Sequence, residues 1–348
     1  MRDGGAGTTV VIPTYNRGAM AVEAVRSALD QRSPVDVVVV DDGSTDDTPR
    51  RLEALVRDVR DTVAGASLRV VRQENRERGA ARNRGAGEAG SAEFLLFLDA
   101  DDVLEPDHVE RLKALALLHP EAPLLASAAL LCDPALRPFE VLGTAGTGPG
   151  SGREDERRAV HLEDFLRGKE PLPPTVSLIR SRAFREVGGF DEDRALAGSE
   201  DWLLHARLLT LGPCVRHGAP TALIRRHGGN TMGDPGRMLE SMLRAHRRFF
   251  DQPPAQLPSP PGELRASSRA HLLLQASTQF YAVGEGREAR ARLLEAARDD
   301  PGVVSDPLWA WTWLRSLLPP GLSRCLRRRK VERKRRKGIR GSGGQGIR

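Results

Sequence analysis

The chain has 348 residues, 39% hydrophobic and 29% charged, enough for one large α/β domain with an accessory piece or for two domains. No apolar run approaches the roughly 18 residues that a spanning helix requires, and MRDGGAGTTVVIPTYN lacks the apolar core of a secretory leader, so neither is expected. The net charge of +6 divides unevenly: residues 324–348 hold 12 Lys or Arg against Glu332 alone, a net of +11 that leaves the remainder at −5.

The first hundred residues alternate between strand and helix patterns. TTVVIP (8–13) reads as a strand, and residues 19–31 as a helix with Val22, Val25 and Leu29 on one face. VDVVVVDD (35–42) is an unbroken β-branched run, as in a strand buried on both faces. A helix follows from Thr48, the expected N-cap, with Pro49 at its first turn and Leu52, Leu55, Val56 and Val59 as its apolar stripe. LRVVR (68–72) is a third strand, 79–89 a short helix, and EFLLFLD a fourth strand. This alternation predicts right-handed βαβ units and a mainly parallel sheet, with ligands outside the carboxyl ends of its strands. Those ends carry PTYN, DDGS and DADD, so polar chemistry gathers three times on one edge.

Beyond Pro106 the pattern gives a helix to about Leu118, then PLLASAALLC as a strand. The Gly-rich, charged stretch 143–158 reads as a mobile loop or insertion. TVSLIRSRAFREVGGFDE reads as a strand and a short helix stopped at Gly188-Gly189. SEDWLLHARLLTLG is a helix with Ser199 as its expected N-cap, and TALIRRHGGNTM (221–232) ends a strand in a loop. From Arg237 the pattern turns helical, interrupted by a Pro-rich linker at 252–262. Residues 264–300 read as two helices around Gly284–Gly286, and Tyr281, Gly284, Ala289, Leu293, Ala297 and Pro301 resemble a single tetratricopeptide-like hairpin. Trp309, Trp311 and Trp313 cluster just before the basic tail. The cysteines, Cys132, Cys214 and Cys325, are odd in number and far apart, which fits a reducing compartment without a disulfide framework or zinc site.

The acidic blocks carry the chemistry. Asp99 and Asp101 are two residues apart, so in extended backbone both carboxylates face one way. Two acids at a strand end suit a hard divalent ion bridging phosphate oxygens; the competing reading is an acidic turn capping the next helix. At DDGS a carboxylate at the strand tip can accept a hydrogen bond from a ring N–H such as that of uracil or guanine, against an Asx turn in which Asp42 bonds its own backbone. IPTYNR has no glycines, so neither a dinucleotide fingerprint nor a G-x-x-x-x-G-K-[ST] loop follows the first strand, which argues against nicotinamide and flavin enzymes. Tyr15 can stack on a base or simply pack on the rim. Arg78, Arg82 and Arg84 stand near the start of a short helix, where Arg can grip phosphate, although a solvated basic face reads equally well for Arg78 and Arg84. Glu200 and Asp201 lie in a first helical turn, where the dipole alone favours acids and where a general base could face a cleft. His227 is a metal or diphosphate ligand in one reading and structural in the other.

In their order, VVIPTYNR, VVVVDDGSTDDT, RGAARNRGAGEAGSAEFLLFLDADD, GGFDE, SEDW and RRHGGNTM resemble the family 2 glycosyltransferases, over roughly residues 8–232. The resemblance implies a GT-A fold: an α/β, Rossmann-like, mainly parallel sheet flanked by helices, here with a helical C-terminal extension. It implies Pro13, Thr14 and Tyr15 as the nucleotide-cradling strand end. Asp42 becomes the base-reading acid, with Asp41 the second choice, and Arg82 a nucleotide or diphosphate contact. Asp99 and Asp101 match the DxD motif, the first touching ribose and the second holding Mn2+ or Mg2+ with His227 nearby. Asp201 matches the catalytic base.

The implied reaction is metal-dependent, inverting transfer of one sugar from a nucleotide-sugar, a UDP-sugar first, to an acceptor hydroxyl in cell-surface glycan or polysaccharide synthesis. The glycan, lipid-linked or protein nature of the acceptor is left open. No Q-x-x-R-W block is present, which favours single transfer over processive extrusion. The implied layout is a transferase domain over 1–235, with a nucleotide-sugar half at 8–105 and an acceptor half at 106–235. A helical region over 236–322 and a basic disordered tail over 323–348 follow. The expected location is cytoplasmic, with peripheral contact between the tail and an anionic membrane; nucleic acid is not an expected partner. The alternatives are a non-catalytic nucleotide-sugar-binding module in an assembly complex and a sugar nucleotidyltransferase. The latter is disfavoured by the lack of a Gly-rich, basic loop after the first strand.

Overall fold

The computed structural model describes residues 7–62, 67–143, 157–227, 234–252, 257 and 260–317. Residues 144–156 of the loop expected at 143–158, most of the Pro-rich linker, residues 228–233, Cys325 and the basic tail lie outside the described residues, while Arg157 and Arg158 begin a strand.

The chain forms two compact units. The first comprises residues 1–161 and 172–227, and the second residues 162–171 and 228–348. In the first unit the strands are β1 (Thr8–Thr14), β2 (Asp36–Asp41), β3 (Ser67–Arg72), β4 (Phe94–Phe97), β5 (Val103–Leu104), β6 (Leu124–Cys132), β7 (Pro138–Leu142), β8 (Arg157–Val160), β9 (Ser177–Arg180) and β10 (Cys214–Arg225). Its helices are α1 (Gly18–Leu29), α2 (Thr48–Thr62), α3 (Glu77–Gly87), α4 (His108–Leu118), α6 (Ser181–Glu186) and α7 (Glu200–Leu208). The second unit holds α5 (Leu162–Leu166), α8 (Pro235–Asp251), α9 (Pro261–Val283), α10 (Gly286–Asp299) and α11 (Pro307–Ser316).

The strands form one sheet in the order β3-β2-β1-β4-β9-β6-β10-β5, with β7 beside β6 and β8 beside β10. Strands β1 to β4 are mutually parallel, β9 runs against its neighbours β4 and β6, and β10 runs parallel to β6. The register decides what shares an edge. Thr14 pairs with Asp41, and Val11 with Phe97, so the residues after β1, β2 and β4 emerge together. Because β9 is reversed, its start lies on that edge too, as does the end of β10, where Cys132 pairs with Arg225.

Val37–Val40 and Phe94–Leu98 are buried throughout, as unbroken apolar strands in a two-sided sheet must be. Helix α3 lies so close to β1 that a Cβ on Gly85 would stand 2.3 Å from Val11 Cγ1. Phe97, Phe184 and Phe190 pack edge-on or tilted beneath it, with ring centroids 4.8–5.8 Å apart. The short strands β5, β7 and β8 are absent from the sequence expectation; two to five residues carry too little periodicity to register. Thr48 does not stand before its helix: its hydroxyl accepts from the Arg17 amide, while Asp46 Oδ1 accepts from the Thr48 amide.

In the second unit α9 and α10 form the single hairpin expected at Gly284, which adopts φ of 100°. Leu273, Leu274, Phe280, Tyr281, Ala289 and Leu293 form its core with Leu239 of α8. Helix α5 belongs here, although the sequence layout assigned it to the transferase domain. Ser268 Oγ donates to Leu166 O and Gln275 Nε2 to Gly168 O, so α9 grips α5 by polar bonds that no periodicity announces. Among the described residues no helix is long and apolar enough to cross a membrane.

Candidate active site

Asp99, Asp101, Asp102, Glu200 and Asp201 gather at the shared edge, held by Arg82 and Arg225. Arg82 projects from α3 and is only 1% exposed. Its Nη1 donates to Glu200 Oε1 and its Nη2 to Asp99 Oδ1, each at 2.7 Å. Its guanidinium carbon lies 5.1 Å from the Phe190 ring centroid. Burial alone would lower the guanidinium pKa, but the charges of Asp99, Glu200 and Asp201 outweigh it and hold the pKa above its ordinary value. Each terminal nitrogen of Arg82 thus spends one of its two N–H groups on a carboxylate, and the side chain is almost wholly buried, so the structure gives it a positioning role beside the expected contact with a diphosphate. Asn83, next in sequence, fixes the GGFDE loop against α3. Its Nδ2 donates to Phe190 O, and its Oδ1 accepts from Phe190 N, both at 2.9 Å.

Asp99, Asp101 and Asp102 follow β4, with oxygens all within 4.8 Å of one another. Their supports differ. Asp99 is held by Arg82, while Asp101 Oδ2 lies 2.9 Å from His227 Nε2. Asp102 is buried; its Oδ2 accepts from Thr175 Oγ1 at 2.7 Å and its Oδ1 from the Arg225 amide at 3.0 Å. Burial first, then the charges of Asp99 and Asp101, push its carboxyl well above the usual range. Arg225 also donates to the carbonyls of Asp101 and Pro134 and to Glu23 Oε2. One arginine thus clamps the acidic loop two residues before His227. Three clustered carboxylates are hard oxygen donors with incomplete charge compensation, which fits Mg2+ or Mn2+ and disfavours a soft metal.

At the nucleotide end, Asp41 and not Asp42 closes the turn after β2: its Oδ1 accepts from the Ser44 amide at 2.9 Å, and Arg72 Nε approaches its Oδ2 at 3.5 Å. Gly43 makes that turn possible, with φ of 81° and space so tight that a Cβ would stand 2.9 Å from Asn75 N. Asp42 is 4% exposed, and its Oδ1 accepts from Gln73 Nε2 at 2.7 Å and the Arg76 amide at 2.9 Å; these bonds leave Oδ2 out. Pro13 and Thr14 are buried at the end of β1, where Thr14 Oγ1 finds no hydrogen-bond partner among the described residues. Tyr15 is 47% exposed at the rim.

Helix α7 supplies the remaining acids. Glu200 is buried between Arg82 and the Gly198 amide, which donates to its Oε2 at 2.7 Å. Ser199 stands at the N-cap position, yet its hydroxyl donates to Leu196 O and caps nothing. Asp201 is partly exposed, with Oδ1 accepting from the Trp202 amide at 2.7 Å. Burial first, then the neighbouring charge of Glu200, raise its carboxyl to about 6 against the opposing pull of Arg82. A carboxylate poised there is ionised at neutral pH yet basic enough to accept a proton. Thr175 and Arg225 are site residues that sequence reasoning gave no role, and Glu200, read there only as an acid of the first helical turn beside Asp201, is the partner of Arg82. The block SEDW could have pointed to Glu200 and RRH to Arg225, but nothing around Thr175 sets it apart.

Residues 9–122 match the family model described as glycosyl transferase family 2. Over 105 residues the chain is 39% identical to the succinoglycan biosynthesis protein ExoO of Rhizobium meliloti, covering 30% of this chain and 28% of that one. Over 245 residues it is 30% identical to validoxylamine A glucosyltransferase of Streptomyces hygroscopicus, covering 64% of this chain and 54% of that one. The match to an uncharacterised Rickettsia felis glycosyltransferase spans only 16% of that protein's length. Among solved structures, the Pyrobaculum calidifontis mannosyltransferase PcManGT, in complex with GDP-Man and Mn2+, aligns over 90% of this chain and 86% of its own, at TM-score 0.56 and 17% identity. S. aureus TarS 1–349 aligns over 85% and 90%, at TM-score 0.50 and 18% identity. At such identities the likeness speaks to the fold, which is that of the GT-A glycosyltransferases.

Proposed function

From a family 2 glycosyltransferase segment over residues 9–122, set in a GT-A sheet, we infer a metal-dependent, inverting glycosyltransferase that moves one sugar from a nucleotide-sugar to an acceptor hydroxyl. The observation that carries this reading is the shared edge: the Asp99, Asp101 and Asp102 oxygens within 4.8 Å of one another, joined through Arg82 to the α7 acids.

The roles are carried over from the family resemblance, with the geometry above in support. Asp42 Oδ2 accepts a ring N–H of the base, which favours a uracil- or guanine-bearing donor, with UDP-sugars first. Tyr15 stacks on the rim side of that base, and Pro13 and Thr14 floor the pocket. Asp99 faces ribose, while Asp101, beside His227, holds Mn2+ or Mg2+. When bound, the ion supplies charge neutralisation to the departing diphosphate. Arg82 acts as a positioning residue that fixes Asp99 and Glu200. Asp201 takes the acceptor hydroxyl's proton, the acceptor oxygen attacks the anomeric carbon in line, and the nucleoside diphosphate leaves from the opposite side. Relatives in polysaccharide biosynthesis, ExoO among them, support a glycan-building role.

The test is donor turnover by the full chain with Mn2+ across UDP- and GDP-sugars. Release of nucleoside diphosphate that stops on chelation is expected. Release of pyrophosphate from a nucleoside triphosphate and a sugar phosphate would replace this reading with nucleotidyl transfer; binding without release would leave a sugar-nucleotide carrier.

A further inference from the structure

Helix α11 has two apolar faces, and the second unit uses one of them. Trp309 and Trp313 pack on the α9–α10 core and stack on each other at 5.3 Å, with Thr312 and Ser316 buried between turns. On the other side stand Leu308, Trp311 and Leu314 at a spacing of three, with Leu317 following just past the helix; Trp311 also meets the core, its ring edge-on to that of Tyr281 at 6.0 Å. They are 39%, 37%, 65% and 58% exposed. Arg315 borders this face, its guanidinium carbon 4.3 Å from the Trp311 ring centroid. A row of exposed leucines of this kind marks an apolar strip that ordinarily meets a partner.

We propose that this face of α11 docks on an anionic lipid surface, with the basic sequence beginning at Arg324 as its electrostatic partner. Two features select that occupant. Leucine side chains flanking a Trp and an Arg suit the interface of a bilayer, where the ring and guanidinium sit at headgroup level. Only seven residues beyond Leu317 the sequence enters a run with a net charge of +11, which matches an anionic leaflet and repels a second copy of itself. One weak signal gives marginal, reversible attachment, whereas an apolar face combined with a polybasic run gives stable attachment. Nucleic acid would satisfy the charge but leave Leu314 and Leu317 in water. This inference does not depend on the sugar-transfer reading, and its test does not read turnover.

The full chain is sedimented with vesicles of phosphatidylcholine alone and of phosphatidylcholine with phosphatidylglycerol, while tryptophan emission is followed. Strong binding to the mixed vesicles with a blue shift, and little to the neutral ones, is expected. Leu314→Glu and Leu317→Glu, both at exposed positions, should each weaken binding about tenfold with unchanged circular dichroism. Replacing Arg327, Arg328 and Arg329 with Gln should erode the preference for anionic lipid and its sensitivity to salt. The proposal is overturned if both Glu variants bind mixed vesicles as the parent does, because the tail then acts alone. It is equally overturned if the parent binds no vesicles, or if it forms a lipid-independent dimer that Leu314→Glu dissociates.

Discussion

Asp201 and Arg82 divide the work at the edge between chemistry and position. Replacing Asp201 with Asn should leave nucleotide binding in place and reduce turnover by roughly 100- to 10,000-fold, the usual contribution of a positioned base. Near-normal kcat in that variant would dismiss the base assignment. Its raised carboxyl pKa, about 6, also sets a pH limb: kcat/KM should climb as pH rises through about 6 and level above it, because the protonated acid accepts nothing. Stability runs the other way. The folded group binds its proton more tightly than the unfolded one, so its contribution is full in acid and is lost as pH rises through about 6. In chelator at pH 8, Asp201→Asn should therefore melt above the parent. Arg82→Ala removes the cation between Asp99 and Glu200 and strands buried negative charge, a loss on the order of 3–5 kcal/mol readable by urea denaturation. Arg82→Lys, with only one nitrogen for two carboxylates, should recover only part of it.

At the scale of elements, the acidic loop after β4 is shaped by β9 and β10 more than by its own strand. Thr175, in the 3-10 turn ahead of β9, reaches Asp102 because that strand runs backwards in the sheet. Arg225 reaches the Asp101 carbonyl and the Asp102 carboxylate from the end of β10. Neither residue is among the proposed metal ligands; both orient residues that are, or that adjoin them. Supports of this kind typically change metal affinity 10- to 100-fold when lost. Thr175→Val should weaken Mn2+ binding by that range in calorimetric titration and lower the melting temperature modestly, because Asp102 Oδ2 loses its donor. Equal Mn2+ affinity in the two proteins would reduce Thr175 to packing. The α9–α10 hairpin, capped at Gly284 and filled by Tyr281, Ala289 and Leu293, closes its core with α8 and α11.

For the molecule as a whole, charge is the organising asymmetry. The body carries −5 and the last 25 residues +11, so a chain ending at Ser323 becomes acidic. That shortened chain should lose retention on a cation exchanger yet keep soluble donor turnover within about twofold, since long-range fields act chiefly on association rates and surface binding. A collapse of soluble turnover would give the tail a part in the chemistry. Ligand linkage offers a second whole-chain measurement. A nucleoside diphosphate with Mn2+ at 100 times its Kd stabilises the folded state by about 2.7 kcal/mol, and chelation should abolish the shift.

The amino-acid sequence by itself determined the strand–helix alternation, the parallel half of the sheet, and the three polar strand ends. Each rests on local rules: apolar periodicity, β-branched runs and the geometry of strand termini. It also marked Asp99 and Asp101 by residue type and spacing, and Asp201 and His227 through the resemblance to a family. Tertiary structure alone decided how those groups are held. Arg82 pairs with Glu200 across 118 positions, Thr175 with Asp102 across 73 and Arg225 with Asp102 across 123. No window of sequence contains such pairs, because they are created by strand order and the reversal of β9. For the same reason the arginine that reads as a phosphate grip also serves as a buried strut between Asp99 and Glu200: which carboxylates a guanidinium meets depends on what the fold sets against it.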